Sequence, residues 1–103
     1  MRHEIILSRD AVEELRALDA RDRASVRDAL EVHLRHEPTR ISRSRIKRLR
    51  GMAQPQYRLR VGDFRVFYDV VGAEVHVLAI VAKARAEQWL QKAGTPHEED
   101  SSD

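Results

Sequence analysis

Apolar positions along this chain follow two different periods, and the change from one to the other divides it. Ile5-Ile6-Leu7 after Glu4 is a short apolar run that predicts a strand over Glu4–Leu7. Ser8 is a good N-cap, and from there Ala11, Val12, Leu15 and Leu18 recur at helical spacing. Asp19 can cap a second helix, with Asp22 in its first turn set favourably against the helix dipole. Val26, Ala29, Leu30 and Leu34 give that helix one apolar stripe. It should end before Pro38, because the residue preceding proline is pushed out of the helical region. Two antiparallel helices with a short link are therefore expected over about residues 9–36. Asp19, Asp22 and Asp28 read as capping and solvated charge.

Beyond a basic linker the period falls to two. Ile46–Leu49 is a candidate strand ending at Gly51, and residues 51–56 read as a turn or loop. Tyr57–Val61 alternates, with Tyr57, Leu59 and Val61 on one face and Arg58 and Arg60 on the other. Gly62-Asp63 is a two-residue hairpin signal, and Phe64–Val71 is the returning strand. Gly72-Ala73-Glu74 makes a second tight connection. Val75–Ala82 is nearly all apolar, as a strand covered on both faces should be. Ala84–Lys92 turns helical again, anchored by Trp89 and Leu90, and Gly94 ends it. The order β-α-α-β-β-β-β-α groups the helices at the start, which is α+β. The expectation is an N-terminal strand and helical hairpin packed on one face of a mostly antiparallel twisted sheet, with a short C-terminal helix. The other face is left for Arg58, Arg60 and Arg65. One domain is expected over 1–93, followed by a disordered acidic tail over 94–103.

The length of 103 residues suits one domain, and 42% hydrophobic with 35% charged residues suits a soluble globule. There is no cysteine, so neither a disulfide framework nor a thiolate metal site is available, which favours a reducing compartment. No apolar run is long enough for a signal core or a membrane span, and a cytoplasmic protein is expected. Charge changes the picture more. The whole chain carries +2, but residues 40–65 hold nine bases against the single acid Asp63, a net of +8, leaving −6 elsewhere. Charge runs usually form solvated faces. Here much of the run falls on strands, which points instead to an anionic partner.

Arg58 and Arg60 are two apart on one strand and share a face. The hairpin brings Arg65 near Arg60, directly opposite or one step diagonal. Like charges placed so are destabilising, and a fold tolerates them where an anion is to sit. Guanidinium matches phosphate in bidentate fashion, which makes a phosphodiester the natural occupant. Protection of a sheet edge is the competing explanation. Arginine stays protonated below about pH 12, so its chemistry would be charge stabilisation, not proton abstraction. His33 and His36 stand at i, i+3 without an evident third metal ligand, and read as surface residues. His76 reads as a packed or solvated histidine. No metal site or cofactor motif is present.

Tyr57–Val70, with its run YRLRVGDFRVFYDV, resembles the central motif of the RelE/ParE superfamily of bacterial type II toxin-antitoxin toxins. Upstream, Ile46–Met52 is similar to the strand before that motif. Downstream, Val77–Lys83 and the final helix resemble the last strand and C-terminal element. The resemblance spans about residues 3–92. It implies a small toxin neutralised in a heterocomplex by a cognate antitoxin. RelE-like members cut mRNA on the ribosome without a cofactor and so inhibit translation. By motif match Arg58, Arg60 and Arg65 take the catalytic basic positions, with Lys83 or Arg85 after the last strand. Arg43, Arg45, Lys47, Arg48, Arg50 and Trp89 would bind RNA. The family's C-terminal tyrosine is absent, and Trp89 and Leu90 stand near its place. ParE-like members share the fold and poison DNA gyrase. A non-catalytic homologue that binds only antitoxin and RNA is the third possibility.

Overall fold

A computed structural model describes residues 1–97; the remainder of the expected acidic tail, residues 98–103, lies outside the described residues. Strand β1 (Glu4–Leu7) leads into helices α1 (Arg9–Ala17) and α2 (Ala20–Ala29), the latter continuing as a wider π turn over Leu30–Leu34. The caps are those the sequence announces. The Ser8 hydroxyl oxygen accepts from Ala11 N at 3.0 Å, and an Asp19 carboxylate oxygen accepts from Asp22 N at 2.8 Å. Strands β2 (Ile46–Arg48), β3 (Met52–Gln54), β4 (Tyr57–Val61), β5 (Phe64–Val71) and β6 (Glu74–Ala82) follow. A 3-10 turn (Lys83–Arg85), helix α3 (Ala86–Ala93) and the two-residue strand β7 (Thr95–Pro96) complete the described chain.

The main sheet has the order β1-β6-β5-β4-β2. The helical hairpin carries the chain from one edge to the other, and the meander β4-β5-β6 brings it back. β1 therefore pairs parallel with β6, Ile5 beside Val75 and Leu7 beside Val77, while every other pairing is antiparallel. The α1–α2 hairpin buries Ala11, Leu15, Val26, Leu30 and Leu34 against Leu59, Val66, Tyr68, Val75 and Val77. Tyr68 is fully buried and donates its hydroxyl to Pro38 O at 2.6 Å, which ties the linker to the core.

β6 carries one extra residue. Phe67 pairs with Ala79 but Tyr68 with Val77, so Leu78 forms a bulge. The bulge lets Val75, Val77 and Ile80 all face the helical layer, which strict alternation would forbid. It lies where β1 ends, and side chains take over the open backbone there. The Ser8 hydroxyl donates to Leu78 O at 3.0 Å, and a Glu14 carboxylate oxygen accepts from Ile80 N at 2.8 Å. Burial pushes the Glu14 carboxyl above its ordinary 4.5, the Ile80 amide pulls it back, and Asp10 and Glu13 add to the rise. The stability this group contributes is thus present below its ordinary value and lost as pH rises through the raised one. Glu14→Gln keeps the acceptor and removes the charge. Its stability relative to the parent chain should increase between acidic and neutral pH, as read by melts at both. A difference independent of pH would show that ionisation of Glu14 costs nothing.

Four expectations need correction. Residues 51–56 are not simply a loop, because Met52–Gln54 form β3, which pairs antiparallel with Thr95–Pro96. The expected tail from residue 94 thus begins as an ordered clip, with His97 N donating to Gly51 O at 2.9 Å. Gly94 permits this closeness: a Cβ there would fall 2.3 Å from Met52 Cε and 2.6 Å from Leu90 O. The final helix starts two residues later than expected, after the 3-10 turn. Finally, the second sheet face is not left to arginines alone. Trp89 of α3 stacks on the fully buried Phe67, ring centroids 4.8 Å apart and planes at 13°. Among the described residues no helix is long and apolar enough to cross a membrane.

Candidate nucleic-acid interface

The β4–β5 hairpin builds the site. Gly62 has φ +55°, a conformation open to glycine and strained for other residues, and the two-residue turn Gly62-Asp63 fixes the register. Arg60 and Arg65 lie directly opposite one another, so the diagonal alternative is excluded. Arg58 pairs with Phe67 on one side and with Lys47 of β2 on the other. Lys47, Arg58, Arg60 and Arg65 therefore share the face turned away from the helical hairpin. Arg45 extends the Arg60–Arg65 row toward the sheet edge, its carbonyl accepting from Arg60 N at 2.9 Å.

The three arginines sit differently. Arg65 is only 7% exposed, and its Nη1 donates to Gly62 O and Phe64 O, both at 2.9 Å, which locks the turn. Arg58 is half-buried, and its Nε is buried with no hydrogen-bond partner among the described residues. Arg60 is exposed. Burial, then Arg65 and Arg60, holds the Arg58 guanidinium below the usual arginine range. Burial, then Arg60, does the same to Arg65, with Asp63 opposing. Among the described residues none of the three forms an ion pair. Among the described residues the result is a cluster of fixed positive charge with no ion-paired acid, which is what a site for an anion requires.

The other expected residues divide. Lys83 N donates to Asp63 O at 2.7 Å, which places the exposed Lys83 and Arg85 on the turn beside the hairpin tip. Arg43 and Arg50 are exposed, in the linker and in the β2–β3 turn. Arg48 is not on the arginine face. It pairs opposite Tyr57, its guanidinium carbon 5.3 Å from that ring's centroid, and donates to Leu49 O and Gln56 O. Trp89 has one ring face occupied by Phe67. His76 is opposite Asp69 and binds Glu74 at 2.8 Å, apart from the cluster. Asp69 was not singled out by sequence. It is 6% exposed and accepts from Gln54 Nε2 and Gln56 N, both at 2.7 Å, so it secures the entry to β4. The lone acid of strand β5, with two glutamines upstream, was its signal.

Comparison with known proteins gives this arrangement a class. The fold is shared with the E. coli toxin RelE, solved free as a double-arginine mutant: 26% identity, 90% of this chain and 95% of that one, TM-score 0.67. The RelE-RelB complex of Pyrococcus horikoshii is similar at 25% identity over 82% and 99%, TM-score 0.62. The RelBE2 toxin-antitoxin complex of Mycobacterium tuberculosis shares the fold at 22% identity over 80% and 99%, TM-score 0.63. Among curated proteins nothing matches. The family model described as the ParE toxin of the type II toxin-antitoxin system parDE matches residues 5–87. The chain belongs to that family, within the RelE/ParE superfamily of type II toxins.

Proposed function

We propose that this toxin is a ribosome-dependent mRNA endoribonuclease. The observation that carries the reading is the direct opposition of Arg60 and Arg65 beside Arg58, with no acid among the described residues paired to any of them. In this reading Arg58 and Arg60 hold the scissile phosphate. The ribose 2′-hydroxyl attacks the adjacent phosphorus and the bond to the 5′-oxygen breaks, giving a 2′,3′-cyclic phosphate and a 5′-hydroxyl. Positive charge at the phosphoryl oxygens stabilises the transition state. Arg65, locked in the turn, supplies field to that point, and Lys83 or Arg85 assists from the neighbouring turn. Arg45 and Lys47 extend the track for the strand, and Arg43 and Arg50 add charge at its ends. The work is done in the cytoplasm, and an antitoxin masks the site in a heterocomplex, as the RelB-RelE complexes among its structural relatives suggest.

Arg60 is the cleanest probe, because it is exposed and its side chain makes no hydrogen bond among the described residues. Primer extension on a message translated in a purified bacterial system should show cuts that depend on translation. Arg60→Ala should reduce them about 10²–10³-fold, the usual loss on removing one charge stabiliser. A second reading is inhibition of DNA gyrase, which the resemblance to ParE-like members implies; the matching family model is that of a ParE toxin. Intact message together with blocked supercoiling would replace the first reading by the second.

A further inference from the structure

A second cationic recess lies at the open edge of β2, outside the three-arginine cluster. The π turn Leu30–Leu34 is one residue wider than an α turn, a feature concentrated at functional positions, and it carries His33. His36 follows it. Across a cleft of about 310 Å³ stand Ser42 and Arg45. Glu37 and Arg40 also line the cleft, but they pair with each other at 3.0 Å, so Arg45 sets its charge and the two imidazoles add ring nitrogens. The Ser42 hydroxyl oxygen accepts from Arg45 N at 3.0 Å and Ile46 N at 3.2 Å, which leaves its hydrogen free to donate. Arg45 connects the recess to the arginine face. Its carbonyl accepts from Arg60 N, and its Nη1 lies 3.5 Å from Arg60 O.

We propose that this recess is a second phosphate subsite, in which His33, His36, Ser42 and Arg45 hold another phosphodiester of the same RNA strand. The proposal rests on the RNA reading above and extends it around the β2 edge. His33 is half-buried, and burial, then Arg45, holds its imidazole below the ordinary 6.5. It is therefore neutral at neutral pH. A phosphodiester beside Arg45 offsets that repulsion and favours the imidazolium, so binding takes up a proton. The other charged groups lining the cleft are Glu37, Arg40 and Arg45. His36 is the second imidazole in the cleft. RNA should bind more tightly as pH falls below the ordinary histidine value, provided the strand reaches both sites.

The test is fluorescence anisotropy with the full chain and labelled single-stranded RNA at about pH 7.5 and about pH 5.5. An oligonucleotide that spans both sites should gain affinity on acidification, by at most about tenfold per pH unit for each proton taken up. A dinucleotide should not gain. His33→Gln should remove most of the gain and the exposed His36→Gln the rest, while Arg45→Ala should lower the salt slope by about 0.7. If both histidine variants keep the parent pH dependence while Arg60→Ala still weakens binding, the subsite is overturned and the RNA reading stands. If Arg60→Ala binds RNA as tightly as the parent, both fall together.

Discussion

Arg58→Met is expected to abolish growth inhibition and at the same time raise the melting temperature. Methionine keeps an unbranched apolar stem of similar reach, so it can pack where the arginine stem lies beside Phe67. What it removes is a half-buried cation whose Nε has no partner among the described residues and whose like-charged neighbours are Arg60 on its own strand and Arg65 on β5. An unsatisfied buried donor costs about 1–3 kcal/mol, and part of this guanidinium reaches solvent, so the gain is on the order of 1 kcal/mol. For a domain near this size that is an increase of about 4–8 °C. Cleavage should fall about 10²–10³-fold, because the phosphate loses one of its two direct holders. Thermal melts and primer extension on the same preparations decide it. A variant that melts lower and still cuts would mean that Arg58 is a structural residue and not part of the site.

Phe67→Ala should be the most damaging single truncation on the arginine side of the sheet. Phe67 is fully buried and is the seat on which α3 rests through Trp89. Truncating a buried phenylalanine costs about 3–5 kcal/mol, a large share of the 5–15 kcal/mol that holds a typical domain together. The chain contains one tryptophan, so its emission reports α3 alone. The variant should unfold at lower denaturant, and its emission should shift to the red before the main transition as α3 lifts off. A loss below about 1 kcal/mol with unchanged emission would show that α3 is held elsewhere, by the clip between β3 and β7.

Local chemistry made much of this fold legible. Ser8 and Asp19 start the helices where the sequence places them, and Gly62-Asp63 fixes the hairpin that brings the arginines together. What escaped depends on distant residues. Nothing near Glu4–Leu7 says that its neighbour is Glu74–Val77, and the Leu78 bulge makes sense only once Ser8 and Glu14 are seen against it. Arg48 is a different case. It has the same parity as the buried Ile46, so alternation alone puts it on the helical side, while Arg45 and Lys47 fall on the other. The count of basic residues hid that distinction. His33 and His36 showed in the sequence only as a surface pair, because the widened turn that sets them beside Ser42 and Arg45 reads as ordinary helix.

The parallel pairing of β1 with β6 also sets an order of events while the chain is being made. Glu4 and Glu74 are partners, so the N-terminal strand waits for seventy residues to be synthesised before it can join the sheet. At roughly 5–20 residues per second that is roughly 4–14 s. The arginine hairpin, whose contacts are local, is translated before its neighbour β6 and can close sooner. A partner able to grip that hairpin can therefore reach it before the sheet is complete, so capture of a newly made toxin need not wait for the finished fold.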